Sequence, residues 1–132
     1  MRYKLTVLFF IFAIFAISTM ANTASAQTRE PINQDKLNIL LGKWENNVVL
    51  LEIKGLKEDG KSLDLVYNYR GNPLAGVEGE SWLEGTTIKV RVWYSDFDWS
   101  LAYDAMQGGM LWGELNLSSR KNISVKLYRK RD

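Results

Sequence analysis

The chain contains no histidine and no cysteine, which removes most of the usual catalytic apparatus before any fold is considered. A Ser-His or Cys-His nucleophile cannot be assembled, nor can an ordinary His/Cys zinc site. What remains is carboxylate chemistry. Asp96 and Asp98 flank Phe97 and, with Asp104, supply the residue types for a glycosidase pair or a calcium site. Aspartate is equally at home in tight turns. Calcium takes at least about six oxygen ligands, a density that no loop of this sequence offers. The expectation is a non-catalytic protein without metal or cofactor, with a carboxylate-based hydrolase as the minor alternative.

Aromatic residues are the other class able to recognise a ligand, and the chain has five Trp and six Tyr. The stretch Thr86 to Leu117 holds three of the tryptophans and reads as three antiparallel strands. In Ile88-Lys89-Val90-Arg91-Val92-Trp93-Tyr94 apolar and charged residues alternate with period two, as in a strand with one buried face. Trp99, Leu101 and Tyr103 alternate against Ser100, Ala102 and Asp104.

Hairpin partners must point to the same face, so registers follow from loop choice. With Gly85-Thr86 as a two-residue loop, Leu83 faces Ile88, Ser81 faces Val90 and Gly79 faces Val92, while Glu80 meets Arg91. With Asp96-Phe97 as the next loop, Tyr94 meets Trp99 and Val92 meets Leu101. A Gln107–Gly109 loop sets Leu101 against Leu115, and a Ser118–Asn122 loop sets Leu115 against Val125. All four hairpins keep one apolar face. Strands are expected near 43–46, 48–56, 61–70, 77–84, 86–94, 98–105, 109–117 and 122–129. Asn33 is placed to cap a short helix before them, carrying Leu37, Leu40 and Leu41 and ended by Gly42. Short antiparallel strands in simple order suit an all-β fold, an eight-stranded antiparallel up-and-down barrel preceded by a short helix; a two-sheet sandwich is the alternative.

The N-terminus has the three parts of a secretory signal peptide: Arg2 and Lys4, an apolar run from Leu5 to Ile17, and Ala24-Ser25-Ala26. Residues 1–26 are therefore read as a leader and 27–132 as a single domain, exported to the periplasm or secreted. The formal net charge of +2 belongs to Arg2 and Lys4, so the mature chain is neutral and gives no support for nucleic-acid binding. The absence of cysteine fits a bacterial envelope and leaves the core alone to hold the fold.

The short helix, Gly42-Lys43-Trp44 at the first strand and the eight-strand meander together resemble the calycin-type barrels, the lipocalins, avidins and their small bacterial relatives. The resemblance implies that Trp44 closes one barrel end with a basic residue of the last strand over its ring. Arg129, continuing the inward series Ile123, Val125 and Leu127, stands at that position. It also implies a binding role. No second lipocalin signature and no avidin-type biotin set is present.

Two ligand sites are expected from the faces. Tyr67, Tyr69, Tyr94, Trp99 and Tyr103 fall on the apolar face, where four tyrosines are unusual for a dry core because each hydroxyl needs a partner; they mark an interior pocket for a small apolar or amphipathic molecule. Plain barrel packing is the competing explanation. Trp82, Trp93 and Trp112 fall on the outer face among charged residues, where they offer a glycan or protein platform unless long charged stems cover them. The basic residues between Arg120 and Asp132 add a third candidate surface, for an anionic envelope polymer.

Overall fold

The computed structural model describes residues 28–117 and 123–131. The segment read as a leader and the Ser118–Asn122 loop lie outside them. Among the described residues the elements in chain order are β1 (Arg29–Glu30), α1 (Gln34–Leu40), β2 (Gly42–Glu45), β3 (Val49–Leu56), β4 (Leu63–Tyr69), β5 (Asn72–Pro73), β6 (Glu78–Glu84), β7 (Thr87–Tyr94), β8 (Phe97–Asp104), β9 (Met110–Leu117) and β10 (Ile123–Arg129). All ten strands form one antiparallel sheet in the order β1-β6-β7-β8-β9-β10-β2-β3-β4-β5. From β2 to β5 and from β6 to β10 neighbours in sequence are neighbours in space; β1 pairs with β6, and β10 returns to β2. That contact turns the meander round on itself and encloses a single core.

The eight expected strands are all present, and the helix stands where Asn33 starts it: its side chain accepts from the Lys36 N–H at 2.9 Å. Two points are corrected. The sheet has ten strands, and it is not closed into a barrel by a continuous ladder. The added strands are β1, paired to β6 at Glu84 and Leu83, and β5, which folds back on β4 at Asn68 and Tyr69. Each covers part of a sheet edge that would otherwise present unpaired backbone groups. Between β4 and β6 no ladder forms among the described residues; the backbone link is a bridge from Ser62, just before β4, to Glu80, with the Ser81 N–H donating to the Lys61 carbonyl at 3.1 Å. Side chains complete this seam. Gly79 is buried there, and a Cβ on it would lie 2.6 Å from Leu65 Cδ2. Its lack of a side chain is what lets β4 come so close.

The β6–β7 register is the expected one, from Leu83–Ile88 to Gly79–Val92. In the next three hairpins the faces are as expected but the partners are displaced by two residues. Tyr94 pairs Phe97, Val92 pairs Trp99, Leu101 pairs Gly113, and Leu115 pairs Ile123. A shift of two leaves every side chain on its own face, so alternation cannot distinguish the two registers. Ser95-Asp96 forms the turn instead of Asp96-Phe97, which moves Phe97 into β8. After β8 a 3₁₀ turn, Met106–Gly108, is started by the Asp104 carboxylate accepting from the Met106 N–H at 2.9 Å.

Ile88, Val90 and Val92 of β7 are buried with Leu51 and Ile53 of β3, Leu111 of β9 and Leu127 of β10. Lys89, Arg91 and Trp93 face outward between them. A seven-residue helix is too short to persist alone. It is held here by Leu37 and Leu40, both buried against this core.

Candidate functional site

The two ends of the enclosed core differ in chemistry. At the helix end Trp44 is fully buried and its indole N–H donates to the Leu40 carbonyl at 2.8 Å. The Arg129 guanidinium lies 4.2 Å from the Trp44 ring centroid. It donates through Nη1 to the Leu41 carbonyl at 3.0 Å and through Nη2 to the Ile39 carbonyl. These carbonyls belong to the last turn of α1, where backbone acceptors have no partner within the helix. One side chain thus stacks on the indole and satisfies the helix terminus. Tyr103 meets the Trp44 ring edge-on with centroids 6.0 Å apart, so it belongs to this sealed end.

At the opposite end, about 20 Å along β8 by the usual rise per strand residue, the sheet surrounds a cavity of about 470 Å³. Its wall is made by Val49 of β3, Tyr67 and Tyr69 of β4, Phe97 and Trp99 of β8, and Leu115 and Leu117 of β9. Leu74, from the connection after β5, and Val48 add to it. Tyr69, Asn72, Pro73 and Asp96 are exposed and form the rim through which it opens to solvent.

Three of the five interior candidates therefore come together: Tyr67, Tyr69 and Trp99. Tyr94 stands behind the wall, stacked on Phe97 at 5.8 Å, and Tyr103 lies at the other end. Phe97, Leu74 and Leu115 were not among the expected site residues. Phe97 had a readable signal, since it shares the parity of Trp99. Leu74 had none, because an irregular connection has no period.

The rings form a connected cluster. Tyr67 stacks on Phe97 at 5.2 Å and meets Trp99 edge-on at 5.9 Å. Burial, with the nearby Tyr69 adding a smaller effect, pushes the Tyr67 hydroxyl up to about 12. It keeps its proton throughout the neutral range. Trp99 is 3% exposed, and its Nε1–H has no hydrogen-bond partner among the described residues.

The outer face is arranged differently. Trp82 carries the Arg29 guanidinium 4.0 Å above its ring and donates its N–H to Glu84 at 3.0 Å. Trp93 carries Arg91 at 4.6 Å. Trp112 is left 47% exposed. Trp82 and Trp112 line a pocket of about 480 Å³ together with Ser100, Ala102 and Gly113; Trp93 is not part of it.

The carboxylates separate by face and role. Asp98 is not a turn residue but a β8 residue, turned outward and bound by Arg91 through Nε at 3.0 Å and Nη2 at 2.8 Å. That contact holds the Arg91 guanidinium above its usual pKa. Asp96 sits at the cavity rim and Asp104 starts the 3₁₀ turn. Asp98 and Asp104 stand six positions apart along β8, so the acidic trio does not come together. Of the C-terminal cations, Arg129 is committed to the helix end, and the Lys130 ammonium stands 4.0 Å from the Glu45 carboxylate. Arg120 and Lys121 lie outside the described residues.

No protein-family model matches the chain, and neither curated proteins nor solved structures yield a match to it.

Proposed function

We propose that this chain is an exported, non-catalytic binding protein that holds a small apolar or amphipathic molecule in the cavity between Tyr67, Phe97, Trp99 and Leu115. The observation that carries the reading is the contrast between the two ends. One is sealed by α1, Trp44 and Arg129, and the other opens on an apolar, aromatic cavity of about 470 Å³, within the size range of small-molecule sites. An apolar, aromatic pocket open to solvent suits capture and release. In the finer form of the proposal the fold is a calycin-like eight-stranded barrel, with β1 and β5 as additions at its seam. The indole–guanidinium stack at the helix end supports that form. Export rests on the sequence of residues 1–26.

The test is a titration with a lipophilic fluorophore, paired with Leu115→Trp, which fills the cavity from its wall. Binding that is saturable in the parent and lost in a folded Leu115→Trp protein supports the proposal. Equal binding by both proteins refutes it. Native mass spectrometry of protein from its own host identifies a retained molecule directly.

A second reading, a glycan or protein platform on the outer face, draws on the exposure of Trp112 and the pocket beside it. The arginines on Trp82 and Trp93 count against a three-tryptophan surface. Oligosaccharides that quench tryptophan emission in the parent but not in Trp112→Ala would favour it. Association with an anionic envelope polymer remains a proposal resting on the C-terminal cations, and loss of that association with added salt is its test.

A further inference from the structure

The deep wall of the cavity contains a feature that an apolar container does not need. Trp99 lines the cavity, yet its Nε1–H is closed off from solvent and meets no acceptor among the described residues. Buried polar groups are nearly always paired, and an exception calls for a cause. Leucine or phenylalanine at this position would give the same apolar contact without the cost of a desolvated donor. A trapped water needs about two to four polar neighbours, and the Tyr67 hydroxyl is the one other buried side-chain polar group lining the cavity with Trp99.

Taking the cavity as a ligand site, on which this inference depends, we infer that its ligand is an uncharged molecule with an apolar body and a carbonyl-type oxygen that accepts from Trp99 Nε1–H. The uncharged character follows from the wall. Asp96 is its single charged residue and stands exposed on the rim. A carboxylate or ammonium carried to the depth of Trp99 would be buried without a counter-charge, which is strongly unfavourable. Tyr67, held neutral by its burial, supplies none. The N–H is closed to solvent in the unliganded structure, so the inferred contact requires the wall beside it to shift and admit the oxygen. Tyr67, edge-on to the indole at 5.9 Å, is the wall residue beside that path. Trp99 is then a specificity-determining residue, and the other wall residues supply non-directional burial.

The experiment uses the mature chain with ¹⁵N-labelled tryptophan. The indole N–H resonance of Trp99 is assigned by its loss in Trp99→Phe, and the probes are a straight-chain methyl ketone and the alkane of equal length. The expected result has both probes moving the Leu115 methyl resonances, while only the ketone moves the Trp99 Nε1–H resonance downfield. The ketone-to-alkane affinity ratio then falls about tenfold in Trp99→Phe, the equivalent of about 1.4 kcal/mol. If both probes enter while the N–H resonance stays fixed and the ratio is unchanged, the inference fails and the cavity remains a ligand site. If neither probe moves Leu115, the ligand site itself fails and the inference with it. Should Trp99→Phe not fold, the resonance is assigned by its proximity to the Tyr67 ring protons, and the ketone-dependent shift decides alone.

Discussion

Arg129→Met removes the guanidinium while keeping an unbranched apolar stem of similar reach over Trp44. Three interactions are lost. Two are charge-assisted hydrogen bonds to the Leu41 and Ile39 carbonyls, and the third is the stack on the indole at 4.2 Å. A hydrogen bond with one charged partner contributes about 1.5–3 kcal/mol, and a partly desolvated cation–π contact about 1–2 kcal/mol. The three share one side chain and overlap, so their sum overstates the effect. A loss of about 4 kcal/mol is expected, a large part of the roughly 5–15 kcal/mol that holds a domain together. Urea denaturation followed by tryptophan emission measures it directly. With a slope of about 2 kcal/mol per molar urea for a chain of this size, the midpoint should fall by about 2 M. Arg129→Lys keeps a cation near the ring but cannot donate to both carbonyls in the same fork, so its midpoint should lie between the two. Ligand affinity of the folded fraction should not change in either variant, because the cavity is at the other end. A midpoint drop below about 0.5 M in Arg129→Met would refute the assignment of this arginine as the clasp of the helix end.

Three further outcomes are expected. Gly113→Ala should destabilise by about 3 kcal/mol, since its Cβ would stand 1.8 Å from the Ser100 carbonyl oxygen across the β8–β9 ladder. Gly55→Ala, with nothing within 4 Å, should stay within about 0.5 kcal/mol of the parent, and urea midpoints compare the two. Stability should fall as pH rises from 10 towards 12. The unfolded Tyr67 releases its proton near the ordinary tyrosine value of 10.0, while the folded residue holds it to about 12, so the unfolded state binds fewer protons in that window. Alkaline denaturation should be less steep in Tyr67→Phe. Asp98→Asn breaks a contact whose partners are 40% and 39% exposed, and should cost less than about 1 kcal/mol with no change in ligand affinity, as fluorophore titration would show.

How far the sequence could be read depended on which physical constraint acted on each segment. Ile88-Lys89-Val90-Arg91-Val92 was legible because burial on one face forces alternation. The Gly85-Thr86 turn was legible because Gly85 adopts φ +62°, a conformation glycine reaches without strain. No glycine marks the next turn. Ser95-Asp96 and Asp96-Phe97 satisfy the same alternation, so alternation allows Phe97 in the loop, and the same two-residue ambiguity arises separately at the loops after β8 and β9. The sealed end was legible through Gly42-Lys43-Trp44 and the inward parity of Arg129. The cavity was legible only in part. Tyr67 and Trp99 follow from parity, but depth along a strand does not, which is why Tyr103 was grouped with them and lies at the far end. The seam was not legible at all. β1 and β5 are two-residue pairings selected by exposed edges, and no periodicity precedes them.

The strand β8 ties the two ends together, and its side chains show where the chain completes its own bonding. Trp44, Tyr103 and Arg129 meet around the helix terminus, and there the indole N–H and the last-turn carbonyls of Leu40, Leu41 and Ile39 all have partners. Two turns of the side-chain alternation away from Tyr103, at Trp99, the same kind of indole is buried to the same degree with its N–H unmatched. Burial alone does not explain the difference, because both tryptophans are inside. At one end the polar atoms are satisfied by backbone that α1 brings in; at the other no helix covers the sheet, and the wall is apolar up to the rim. A buried indole N–H with no acceptor among the described residues is a net cost to folding unless another group supplies one. The tyrosine content of the inner face points the same way, since Tyr67 and Tyr69 stand on this cavity with Trp99. Polar groups are satisfied at the Trp44 end, the proposed ligand site lies at the Trp99 end, and the apolar core separates the two.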